Sequence, residues 1–261
     1  MYRFLLKPKW LAFHLLCIVV VAGMIWAAFW QLRRLHEHDA FKSEVNRRTE
    51  QPIVAFTDVI GTGTPSDIEW RTVRAIGTYV PDKNFEVVNL GQNGQSGHDA
   101  VNGLLLADGS VLVVNRGFVA GDTPLPAAPT GQVTVVGRVR RTQTASTGQQ
   151  ADDGSQHLSQ IRRVDLGALT SQFVPSTTTK VQPVFLDALE STPAEPAVIV
   201  PVAFPDLNGG PPHLSYTIQW FIFSICVVVG WVFAVRKSIA TRNGTAKKKR
   251  PKVAPIADEF R

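Results

Sequence analysis

Apolar positions along the chain follow two different patterns. Leu11–Trp30 and Tyr216–Val235 are apolar runs of 20 residues each, whose only ionisable side chains are His14, Cys17, Tyr216 and Cys226. As helices rising 1.5 Å per residue, each covers about 30 Å, the thickness of bilayer hydrocarbon. Beyond Trp30 the apolar positions 32, 35, 41 and 45 recur among charged residues, so the first helix is predicted to continue as an amphipathic extension to about residue 48, ending before Pro52.

Between the spans the period changes to two. Val73–Val80, Phe85–Leu90, Leu104–Leu106, Val111–Asn115, Val133–Val139, Val181–Leu186 and Val198–Val202 are short, Val-rich and separated by Gly, Pro, Asn and Asp, the pattern of strands. Asp108-Gly109 between two of them predicts a hairpin, since that pair tolerates the positive φ of a tight turn. Arg163–Phe173 reads as a short helix with Asp165 as its cap. The fold class is therefore that of an α+β membrane protein, two transmembrane helices flanking a mainly antiparallel, partly closed barrel-like β domain. Its parts are residues 1–10, span 11–30, domain 31–215, span 216–235 and tail 236–261.

Charge adds an orientation. The net +6 is carried by the ends: Arg3, Lys7 and Lys9 precede the first span, and nine Lys or Arg against Asp258 and Glu259 follow the second. The basic balance thus says nothing of nucleic acid. It predicts, by the positive-inside rule, both termini in the cytoplasm and the central domain outside, in the inner or plasma membrane. The first span is too long for the apolar core of a cleaved signal and no A-x-A site closes it, so it reads as a retained anchor. The run Lys247–Arg250 suits anionic lipid at the inner leaflet. Both cysteines lie inside the spans, which excludes a disulfide scaffold.

Candidate chemistry is sparse. There is no Walker loop, HExxH or EF-hand pattern, and Asp152, Asp153 and His157 lie in loop composition, so no enzyme is expected. His98, in GQNGQSGHD, reads as a loop residue. Histidines at a membrane boundary are solvated or have a partner. His14 lies at the cytoplasmic end of the first span, whereas His213 precedes the second span at its outer end, near His36 and His38. The tryptophans of the spans read as aromatic belts. Asn115, Arg116 and Gly117 fit either a turn or bulge with a structural salt bridge, or a docking surface. Tyr216, Gln219 and Trp220, at i, i+3 and i+4, share one helical face.

Five motifs in order resemble those of the surfeit locus protein 1 family, assembly factors of cytochrome c oxidase. Trp30-Gln31-Leu32-Arg33 is similar to its WQxxR, and Arg71–Pro81 to RxVxxxGxYxP. Val113–Val119 resembles LVNRGWV, with Phe118 in place of Trp, Gly137–Arg140 resembles GxxR, and Pro212–Phe221 resembles HLxYAxQWF. Between two correctly placed spans, they cover nearly the whole chain. The resemblance implies a non-enzymatic accessory factor that assists haem a insertion into, or stabilises, the haem-bearing catalytic subunit of the oxidase. The alternative is a stably bound accessory subunit of a respiratory oxidase or supercomplex. It also implies that His213 is a transient haem a ligand with Tyr216, Gln219 and Trp220 beside it, and that Trp30, Gln31, Arg33, Asn115, Arg116 and Gly117 face the partner. No metal other than haem iron is expected.

Overall fold

A computed structural model describes residues 3–173 and 180–244. It divides into two compact units, one made of the described residues up to Ala40 and from Asn208 onward, the other Phe41–Leu207. The run Lys247–Arg250 lies outside the described residues.

The first unit is built on two helices long and apolar enough to cross a membrane, α1 (Pro8–Thr49) and α5 (His213–Arg242). Their surfaces would be untenable in water: Trp26 is 70% exposed, and Leu15, Leu16, Ile18, Ile222, Ile225 and Phe233 are more than half exposed. The few buried positions are small, Ala28 on α1 and Thr217 and Ser224 on α5. Small residues let two helix backbones approach closely, which in lipid supplies the packing that drives association. The hydroxyls there donate within their own helix, Thr217 to the His213 carbonyl and Ser224 to that of Phe221. α1 does not stop at the end of its apolar stretch but runs on to Thr49, and its residues from Phe41 belong to the second unit, within which Val45 packs with Trp70 and Leu207.

The second unit is a closed five-strand barrel. After β1 (Val54–Ala55) and two single-turn helices, α2 (Phe56–Val59) and α3 (Pro65–Ile68), come β2 (Thr72–Gln92), β3 (Gln95–Leu106), β4 (Val111–Ala120) and β5 (Gln132–Arg141). A short β6 (Gln160–Ile161), α4 (Leu166–Phe173) and β7 (Val181–Thr192) complete it. Around the barrel the order is β2-β3-β4-β7-β5 and back to β2; β4 and β7 run parallel, and the other neighbours antiparallel.

Closure is complete rather than partial because β2 is one long bent strand where two are expected. Its first half pairs with β5 and its second with β3, and Gly77 pairs on both sides, with Val133 and Leu106. A side chain at Gly77 would strike the Leu105 backbone and Leu104. Positive φ at Asp82 and Asn89 accompanies the register shifts that bend the rest of the strand.

Alternation sorts the Val-rich segments onto two faces. One face, drawn from all five barrel strands, fills the interior around Val73, Leu104, Leu112, Val135 and Leu186, with Phe56, Val59 and Ile68 closing it from α2 and α3. The opposite face of β2, β3, β4 and β7 is covered by α4 and β6, where Leu169 and Phe173 pack on Phe85, Val101, Val113 and Phe185. The expected helix thus begins at Leu166 rather than Arg163, and the Asp165 carboxylate accepts from the Gly167 N–H at 2.9 Å. The Asp108-Gly109 hairpin joins β3 to β4, tied by Asp108 to the Ser110 N–H and hydroxyl. A second hairpin, at Asn93-Gly94, has φ of 53° and 77°. Val198–Val202 forms no strand. It makes a single bridge, Val200 to Phe118, on the stretch of the β4 edge beyond Asn115 that β7 does not reach.

Candidate functional site

Two of the motifs meet in the first unit. His213, the first residue of α5, places its ring Nδ1 2.7 Å from the Gln31 Oε1 of α1, across 182 residues of sequence. Amide oxygen only accepts, so Nδ1 carries the proton of this contact, and the tautomer it selects has its lone pair on Nε2. The His213 ring is half-buried, whereas Tyr216 and Gln219 are exposed. The buried side of α5 carries Thr217 and Ser224 instead, so the Tyr216, Gln219, Trp220 face is open. Trp220 meets Phe223 edge-on at 6.2 Å. On α1, Arg33 is exposed, and the Arg34 guanidinium lies 5.8 Å from the centre of the exposed Trp30 ring while pairing with Glu37 at 2.9 Å.

Of the other histidines, one is placed differently from the sequence reading. His14 has a partner: its Nδ1 accepts the Trp231 indole N–H at 2.8 Å, so Trp231 serves as a helix-to-helix contact. Indole only donates, and His14 therefore holds its proton on Nε2, the opposite tautomer to His213. His98 is not a loop residue. It lies in β3, 5% exposed, with Nδ1 3.3 Å from Glu86. His36 is exposed and His38 half-buried, with Asp39 3.9 Å away. Asp152 pairs with Arg162 at 2.7 Å, Asp153 accepts from Ser155 and Gln156, and His157 is exposed. Among the described residues no cluster of His, Cys, Asp or Glu is arranged to hold a metal ion.

Asn115-Arg116-Gly117 forms a bulge in β4. Val101 pairs with Asn115 and Ala100 with Gly117, leaving Arg116 as the extra residue. Gly117 has a φ of 141°, and a side chain there would run into the Val200 carbonyl. The bulge sends its two polar side chains to different networks. Arg116 is buried completely; Glu195 takes its Nη2 at 2.6 Å and its Nε at 3.1 Å, and the carbonyls of Pro126 and Ala127 accept at 3.0 and 3.1 Å. The Tyr79 ring lies 5.7 Å from that guanidinium. Burial, the largest cause, pushes the Tyr79 phenol above its usual range, and the Glu195 charge adds to the rise.

Asn115 joins the second network. Its amide donates to Asp99 at 2.7 Å and to Asp187 at 3.3 Å, and Asp187 takes the Arg140 Nη1 at 2.8 Å. Arg140 in turn lies 4.0 Å from the centre of the Trp70 ring. Burial pushes the Asp187 carboxyl up, with Arg140 and Arg138 opposing it. With both side chains satisfied internally, Asn115 and Arg116 hold the barrel together and present no free group at its surface.

Asp99 is 6% exposed and its carboxyl is pushed up to about 6, first by burial and then by the Asp187 charge, against the Asn115 hydrogen bond. Unfolded, it titrates near 3.9. Between those values the folded chain keeps a proton that the unfolded chain loses, so this group's contribution to stability falls as pH rises through that window and stays low above it. Asp99→Asn retains an acceptor for Asn115 and is expected to raise stability at pH 8 by about 1–3 kcal/mol, and by less at pH 5. Urea denaturation at the two pH values tests this, and a gain independent of pH would contradict it.

Fold and site together define a class: a β-barrel protein with two apolar helices long enough to cross a membrane and one imidazole held at the joint of those helices. More specifically, the chain belongs to the SURF1 family, whose profile matches residues 18–225. It is 26% identical to SURF1-like proteins of Mycobacterium bovis and Mycobacterium tuberculosis, over 98% of this chain and 94% of theirs. The family is one of assembly factors, and membership associates the chain with cytochrome c oxidase assembly.

Proposed function

We propose that this protein assists cytochrome c oxidase assembly by holding haem a, as cargo, for the haem-bearing catalytic subunit, with His213 as the axial ligand. The supporting observation is the 2.7 Å contact between His213 Nδ1 and Gln31. It fixes the ring's direction and leaves Nε2 as the nitrogen with a lone pair, which is what a haem iron takes from a neutral imidazole. The residues present fit the group: an imidazole at the end of an apolar helix pair, an open Tyr216 and Gln219 face, and, for propionate carboxylates, an exposed Arg33 two residues beyond Gln31 on α1. Haem a, when bound, supplies only its iron's axial position. The protein's share is to orient one nitrogen, shield the ring edge from water and keep the ionic groups outside the hydrocarbon.

The same reading orients the chain. Arg3, Lys7 and Lys9 before the apolar stretch of α1 and Arg236, Lys237 and Arg242 at the end of α5 put both termini in the cytoplasm, and so the barrel and His213 on the outer side. Full-length protein purified in mild detergent and mixed with haem a is expected to give the absorbance of a histidine-ligated haem, lost in His213→Ala. A spectrum unchanged by that substitution would refute the ligand role. Co-purified oxidase subunits in substoichiometric, immature form are expected, whereas equimolar mature oxidase would mark a permanent subunit.

A further inference from the structure

Beneath the Gln31–His213 joint the helices pack at the buried Ala28, Thr217 and Ser224. Further along, a groove of about 440 Å³ opens between them, lined by Ile18, Val21, Ala22 and Ile25 of α1 and Val227 and Val228 of α5. Its far end is closed by the Trp231–His14 hydrogen bond of 2.8 Å. Helix rise sets the scale: Ile25 lies about 9 Å below Gln31 along α1, and His14 about 25 Å below it. On α1 the lining therefore starts about 9 Å below Gln31 and runs some 16 Å further, and on α5 it starts at Val227, about 21 Å below His213.

We propose that this groove is a subsite for the isoprenoid tail of haem a, a reading that rests on the assignment of His213 as the haem ligand. Haem a differs from haem b chiefly in a long farnesyl-derived tail, attached at a ring edge away from the propionates. With the propionates toward the outer, aqueous side and the iron at His213, that edge faces into the membrane, toward the groove. The lining is apolar, as a hydrocarbon tail requires, and the polar groups at the far end satisfy each other. The indole N–H is already given to His14, so it is not offered to a lipid ester carbonyl entering from the cytoplasmic side. A tail reaching down from the His213 end first passes the packed Ala28, Thr217 and Ser224, and beyond them meets the apolar lining of the groove up to Trp231.

In a bilayer the tail gains nothing from leaving water, because lipid is as apolar as the groove. Discrimination comes instead from packing, since a filled groove makes the dispersion contacts that a poorly filled one lacks. The groove is thus a device for selecting haem a over haem b.

The test is an absorbance titration of the full-length protein in phosphatidylcholine nanodiscs with haem a and, separately, with haem b. Wild type is expected to bind haem a at least about tenfold more tightly, or ~1.4 kcal/mol. Ala22→Trp and Val228→Trp, which fill the groove from opposite helices, are expected to bring the two affinities together without changing that for haem b. His213→Ala weakens both. Equal affinities in wild type, a preference that survives both tryptophan variants, or loss of haem b together with haem a in both variants would each overturn the subsite. Failure of wild type to bind either haem would be a different result, removing the ligand assignment on which the subsite rests.

Discussion

Arg116→Ala is expected to destabilise the barrel by about 3–5 kcal/mol, the cost of breaking a buried ion pair from one side. The substitution strips Glu195 of its cation and leaves the Pro126 and Ala127 carbonyls and the Asn102 side chain without their donor. The guanidinium is completely buried and the Glu195 side chain only 12% exposed, so the pair is largely shielded from water. A domain's whole stability is commonly about 5–15 kcal/mol, so a loss of this size is visible as a large shift in the urea midpoint. Replacing Arg116 and Glu195 together by leucine is expected to recover part of the loss, since the uncompensated charge disappears while the two carbonyls stay unpaired. A loss below about 1 kcal/mol in Arg116→Ala would mean that the pair is solvated after all.

Gln31→Leu is the corresponding change in the membrane unit, with an expected loss of about 10–100-fold in haem a affinity, the usual effect of removing the group that orients a metal-binding histidine. Without the amide oxygen, the His213 ring is free to rotate and to move its proton to Nε2, the nitrogen assigned to iron. Gln31→Glu keeps an acceptor for Nδ1 and is expected to retain most of the affinity. The tautomer can be read without haem. Nitrogen-15 spectra of labelled histidine should show a protonated Nδ1 for His213 in wild type and a mixture in Gln31→Leu. A wild-type ring protonated on Nε2 would show that the amide donates rather than accepts, and the orienting role would fall.

Much of this architecture was legible in the sequence because burial leaves a periodic trace. The two apolar runs, the amphipathic stretch after Trp30 and the alternating valines mark membrane, helix and strand by physics that acts on each residue locally. What the pattern hid was whatever depends on pairs far apart in sequence. Val73–Val80 and Phe85–Leu90 look like two strands because the intervening Pro81 and Asp82 interrupt the alternation, yet β2 passes through them by bending. Val198–Val202 alternates like a strand but pairs with β4 at Val200 alone. His98 sits among Gly, Asn and Ser, and only its pairing with Val119 places it in a sheet. The Asn93-Gly94 dipeptide, by contrast, is a turn signal of the same local kind as Asp108-Gly109. At the site, the resemblance named Gln31 and His213 as separate motifs, and only the fold shows them sharing one hydrogen bond. In the same way, the partners of Arg116 were out of reach, since Glu195 lies 79 residues away.

The parallel contact of β4 with β7 also decides when the barrel can be finished. Strands β2, β3 and β4 can zip up as a local meander while the chain is still emerging, but the β4 edge has nothing to pair with until β7, some 60 residues later, arrives. Non-local closure of this kind is slow, because the loop entropy is spent before the contact forms. Glu195 follows only three residues after β7, so the buried charge of Arg116 is neutralised at the same late moment. The nascent domain therefore waits as an open sheet with an exposed edge, and the apolar α5, the next helix to be made, follows at about the time the barrel locks.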